Sequence, residues 1–155
     1  MTFRPPAQTF GRREVLAVAA VVPFVGVAGC GDVTDADAGR KGVESFENEL
    51  TRIGYTLGAN GTWAIAPRRI SIGARGDQLE AEVRAITVTG TRPVGSVAKA
   101  LDQGISWRGQ VYLTYGSRER FHRDGVPADW SAWSETSSIL NVERRGGQWY
   151  VQRVR

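Results

Sequence analysis

The sequence predicts an α+β domain in which one long N-terminal helix and a short second helix pack on one face of an antiparallel sheet of about five strands. Three observations predict it. Val43, Phe46, Leu50, Ile53 and Leu57 recur at gaps of three and four, the spacing of a single helix face. From Ile105 to Tyr115 the period becomes two, with Trp107, Gly109, Val111, Leu113 and Tyr115 on one face and Arg108, Gln110, Tyr112 and Thr114 on the other. Gly146-Gly147 then reads as a two-residue type I′ loop that pairs Arg144 with Trp149, Val142 with Val151 and Leu140 with Arg153.

The chain opens with a segment of another kind. Gly11 to Cys30 reads GRREVLAVAAVVPFVGVAGC. Its apolar run, Val15 to Ala28, falls short of the roughly 20 residues a membrane-spanning helix needs, and Pro23 and Gly26 interrupt it. Basic residues precede it (Arg4, Arg12, Arg13) and small residues follow it, the order of a cleavable secretory signal. The pair Arg12-Arg13 resembles the twin-arginine export signal, with Val15 where Phe is usual. Val27-Ala28-Gly29-Cys30 resembles the bacterial lipobox, with Val27 in place of the usual Leu. These resemblances imply a bacterial lipoprotein, exported, cut before Cys30 and held by lipid on that residue at the outer side of a cell membrane or another envelope membrane. Cys30 is the single cysteine of the chain, so no intramolecular disulfide is available.

The expected organisation is therefore a cleaved signal at 1–29, a lipidated Cys30 with a flexible tether at 30–42, and one α+β domain at 43–155. The tether follows from GDVTDADAGRKG, which carries one Val among small and charged residues. Removing the signal takes three of the 20 basic and one of the 16 acidic residues, lowering the net charge from +4 to +2. The remaining Arg are scattered, so no nucleic-acid partner is expected.

Within the domain, Gly58 is the expected stop of the first helix, and Glu44, Glu47 and Glu49 are expected near its start, where the helix dipole favours acids. Asn60-Gly61 predicts a turn before two strand pieces around Pro67, carrying Trp63, Ile65, Ile70 and Ile72. Arg75-Gly76-Asp77 makes the next turn. Leu79, Ala81 and Val83 alternate with Glu80, Glu82 and Arg84, and a shift to Ile86 and Val88 predicts a bulge near Ala85. Pro93 opens the short second helix through Val94, Val97, Ala98 and Leu101, with Gly104 as its stop. The strand from Ile105 is expected to be central. This element order resembles that of cystatin-like and NTF2-like folds, which implies a curved sheet around a helix and transfers no activity.

Chemistry-bearing residues gather in one stretch, SRERFHRDGVPADWSAWSE from Ser117 to Glu135, expected to lie outside regular structure. His122 is the single histidine, and with Asp124 it is a weak candidate for a base and its orienter. No nucleophile elbow, phosphate loop or metal-ligand spacing accompanies it, so no catalytic residue, cofactor or metal is assigned. Trp130 and Trp133 are the candidate binding residues. Two indoles in a polar loop close over a core edge, bind a sugar face, sit at a lipid interface or anchor a partner. The sequence thus favours a non-catalytic binding or scaffolding module of the cell envelope, tied to the membrane through Cys30, with an envelope protein or glycan as partner. The alternative is a small pocketed hydrolase or isomerase using His122 or a carboxylate as base.

Overall fold

The computed structural model describes residues 22–24, 33–69, 77–95 and 103–154. The residues of the export signal and lipobox (Arg12, Arg13, Val27, Ala28, Gly29 and Cys30) lie outside these. So do Ile70, Ile72, Arg75 and Gly76, and residues 96–102 of the expected second helix.

Helix α1 spans Asp35–Arg52 and starts eight residues before Val43. Thr34 caps it: its hydroxyl accepts from the Asp37 amide at 3.2 Å, and the Asp37 carboxylate accepts from the Thr34 amide at 3.0 Å. Most of the expected tether is thus helix. The stop is Gly54 and not Gly58. Gly54 takes φ 101°, its amide bonds Thr51, and the Tyr55 amide reaches back to Leu50, the two bonds of a Schellman motif. Glu44 and Glu49 consequently fall in the second half of the helix, paired with Lys41 and Arg52, and the dipole is met by Asp35 and Asp37.

The sheet comprises β1 (Val22–Phe24), β2 (Thr56–Leu57), β3 (Trp63–Arg69), β4 (Gln78–Pro93), β5 (Ile105–Arg123), β6 (Val126–Pro127), β7 (Ser134–Arg145) and β8 (Gln148–Arg153). Every pairing is antiparallel, in the order β1-β8-β7-β5-β4-β3-β2, with β6 on β5 ahead of β7. The expected fold class is corrected on two points. Eight strands replace about five, forming a curled, half-barrel sheet around one helix among the described residues. Pro93, expected to open a second helix, closes β4 opposite Gly109. The curl has local causes. β4 and β5 are long, and their register shifts at Arg84/Thr87, where Ala85 takes φ 51°, the bulge that the change of face at Ile86 predicts.

The core lies between α1 and the concave face. Phe46 and Leu50 meet Trp63, Ile65, Val111, Leu113, Tyr115, Leu140 and Val142, all buried. Phe46 stacks at a tilt on Tyr115, ring centroids 4.9 Å apart. Toward its N-terminus the helix buries Ala38, Gly39 and Gly42, and a Cβ on Gly42 would lie 2.9 Å from Val111 Cγ1. There the backbone itself packs on the sheet. Trp107 ties this end together, its indole N–H donating to Asp35 Oδ1 at 3.0 Å. The expected hairpin at Gly146-Gly147 forms with the expected pairs, and the Arg144 guanidinium sits 5.9 Å from the Trp149 ring centroid.

Candidate functional site

The stretch from Ser117 is strand, not loop, as far as Arg123. Asp124 and Gly125, with φ 50° and 79°, make a type I′ turn into β6. Asp124 is exposed in that turn, and His122 finds its partner elsewhere. After β6 the chain bulges. Pro127 lies opposite His122 and Ser134 opposite Ser117, so seven steps on this side pass five on β5. The Ala128 amide bonds Phe121 O at 2.7 Å and the Ser131 amide bonds Glu119 O at 2.9 Å, while the Glu119 amide donates to Ser131 Oγ at 3.0 Å. Slack is taken up between these anchors, and it places Trp130 and Trp133 over the convex face of the sheet.

On that face three rows of residues follow β4 and β5. Arg84 stands opposite Gly116, Glu82 opposite Arg118, and Glu80 opposite Arg120. The Arg84 guanidinium is 3.8 Å from the Trp133 ring centroid and that of Arg118 is 4.6 Å from it. Arg118 and Arg120 lie 4.6 and 4.5 Å from the Trp130 ring. Successive rows on one face are separated by roughly 6.6 Å, the width of an aromatic ring in contact on both sides. The arrangement is a ladder: Arg84, Trp133, Arg118, Trp130, Arg120. Gly116 is part of its construction, because a Cβ there would meet Trp133 at 3.4 Å and Arg84 at 3.3 Å.

The rungs are braced from beneath. Arg118 Nε donates to Glu82 at 2.6 Å, and Arg120 Nε and His122 Nε2 both reach Glu80 Oε2, at 2.5 and 2.7 Å. His122 is buried. The Arg120 hydrogen bond, joined by that of His122, holds the Glu80 carboxyl below the usual carboxylate range against the opposing effect of burial. A carboxylate stabilised in its charged form is a poor proton acceptor near neutrality, so Glu80 is suited to bracing rather than to general-base work.

Both tryptophans are half-buried, and neither enters the core. Each ring has two guanidinium groups within 4.6 Å of its centroid, so indole and Arg N–H groups are presented together. The ladder carries three cations against two carboxylates. No group of three or more His, Cys, Asp or Glu suited to a metal occurs among the described residues. Nor is any helix among them long and apolar enough to cross a membrane.

The sequence reading singled out the tryptophans and His122 but missed Arg84, Arg118, Arg120, Glu80 and Glu82. A signal for them existed: Glu80, Glu82 and Arg84 recur at every second position, and so do Arg118, Arg120 and His122. Comparison with protein-family models, curated proteins and solved structures finds no significant match.

Proposed function

We propose that this chain is an exported lipoprotein, held by lipid on Cys30 at the outer side of a cell membrane, whose domain is a non-catalytic binding or scaffolding module. The ladder is its contact surface, and its partner is an envelope protein that presents carboxylates. The observation that carries this reading is the alternating stack of three arginines and two tryptophans on the convex face. Trp and Arg are the side chains that most often anchor interfaces, and here they are pre-ordered, so little side-chain entropy remains to be lost on binding.

The early start of α1 favours a protein partner over lipid headgroups. Four residue steps separate Cys30 from the Thr34 cap, at most about 14 Å of chain. That holds the N-terminal end of α1, with Trp107, close to the anchor. Arg118 lies eleven residues further along β5, roughly 35 Å in an extended strand. The ladder can therefore stand up to roughly 35 Å from the anchored end.

Two measurements test the reading. Metabolic labelling with a radioactive fatty acid should label the wild type and not Cys30→Ala, and equal labelling of both defeats the anchor. Crosslinking in intact cells should capture a partner that Trp130→Ala/Trp133→Ala loses while remaining folded and anchored. Unchanged capture defeats the ladder as the contact surface.

A further inference from the structure

A second site lies on the same convex face about ten residues back along β5, where β5, β7 and β8 enclose a groove of about 410 Å³. Its volume is within the range of small-ligand clefts, roughly 300–1,000 Å³. Gln110, Asn141, Tyr150, Arg108, Glu143 and Arg145 supply its polar wall. Val94 adds an apolar patch, exposed to solvent.

The chemistry of this wall is specific in three respects. The backbone beneath it is already paired, Arg108 with Glu143, Gln110 with Asn141 and Glu143 with Tyr150, so a ligand is recognised through side chains and not by adding a strand. Gln110 and Asn141 face each other, the Gln110 Nε2 donating to Asn141 Oδ1 at a long 3.4 Å. Gln110 Oε1 already accepts from the Tyr112 hydroxyl at 2.9 Å, so the second Gln110 N–H and the Asn141 amide N–H groups are the donors left for a ligand's hydroxyls. Finally, one carboxylate serves two guanidinium groups. Arg108 Nε donates to Glu143 Oε2 at 2.6 Å and Arg145 to Glu143 Oε1 at 2.7 Å. Both carboxylate oxygens are used, one positive charge is left over, and most of the ten guanidinium N–H donors remain for a second anion.

We infer that this groove binds a carboxylate-bearing saccharide, its hydroxyls on Gln110 and Asn141, an apolar ring face against Tyr150, and its carboxylate on the guanidinium N–H groups of Arg108 and Arg145 that Glu143 leaves free. The site is separate from the ladder and does not depend on lipid at Cys30.

The test is calorimetric titration of the full chain with digalacturonic acid, and with neutral digalactose for comparison. The acidic sugar should bind about tenfold or more tightly than the neutral one, the difference expected for a charge-assisted hydrogen bond. Arg145→Gln, at a side chain more than half exposed, should weaken the acidic sugar about tenfold and leave the neutral one unchanged. Asn141→Ala, also exposed, should weaken both. Trp133→Ala should weaken neither. Absence of binding to the folded wild type overturns the inference, as does equal affinity for the two sugars or an Arg145→Gln variant that binds digalacturonic acid like the wild type.

Discussion

Truncating Trp133 to Ala tests whether the ladder is a real energetic unit. The ring has guanidinium groups at 3.8 and 4.6 Å, from Arg84 and Arg118. A partly solvated cation–π contact contributes about 0.5–1 kcal/mol, so the loss should be about 1–2 kcal/mol. Trp130, with contacts at 4.6 and 4.5 Å, should lose a similar amount. A core tryptophan would cost about 3–5 kcal/mol. The double variant adds a sharper requirement. Arg118 touches both rings, so removing one ring already loosens it against the other, and the double loss should fall short of the sum by about 0.5 kcal/mol or more. Urea denaturation of the wild type, both single variants and the double variant closes the cycle. Losses of 3–5 kcal/mol would mean that the rings are core lids, and strict additivity would mean that no shared stack exists.

Other expectations follow from the brace, the close contacts and the sheet edge. The folded Glu80 pKa lies below 4.5, so its contribution is fully present above the unfolded value and is lost as pH falls through the folded one. Glu80→Gln should therefore lower stability at pH 7 by about 1–3 kcal/mol and flatten the loss as pH falls below 4.5, read from melting midpoints on the acid side. An unaltered acid limb would show that Glu80 is not held by Arg120 and His122. Gly109→Ala should destabilise by about 1–3 kcal/mol or more, because its Cβ would lie 2.5 Å from the Arg92 carbonyl oxygen and 2.7 Å from the Trp107 ring. Gly42→Ala meets a methyl group at 2.9 Å instead and regains about 0.5–1 kcal/mol of helix propensity, so chemical denaturation should rank it the milder of the two. A chain starting at Cys30 should melt within a few degrees of the full chain, since β1 gives three residues to one edge of β8. A large drop would argue that residues 1–29 belong to the fold.

How much of the site was legible depends on where its partners lie. The Glu80, Glu82 and Arg84 alternation could be read because its other face carries Leu79, Ala81 and Val83, and an apolar–polar period marks a half-buried strand. Ser117 to Arg123 offers no such contrast. Its side chains are polar on both faces apart from Phe121, itself partly exposed, so no hydrophobic period announces a strand there. What holds it is pairing with Gln78–Val83 on one side and with β6, the bulge and β7 on the other. Asp124-Gly125 is a local turn signal, but without an apolar period on either side it does not by itself specify a hairpin.

By itself the sequence determined the features set by near neighbours: the face carrying Phe46 and Leu50, the alternation of β5 through Tyr115, the Ala85 bulge and the Gly146-Gly147 hairpin with its register. Periodicity and turn chemistry act over a few residues, so they survive without tertiary context. The Thr34–Asp37 capping box is a local signal for the helix start, but that the segment after it packs as helix, and that the ladder forms, was decided by tertiary structure. Asp35 to Gly42 looked like a tether because it lacks large apolar residues. Ala38, Gly39 and Gly42 are small because the helix backbone lies against Val88, Val111 and Leu140, where larger side chains have no room. A close helix–sheet contact and a solvated linker leave the same composition in the sequence, and only the opposing sheet distinguishes them.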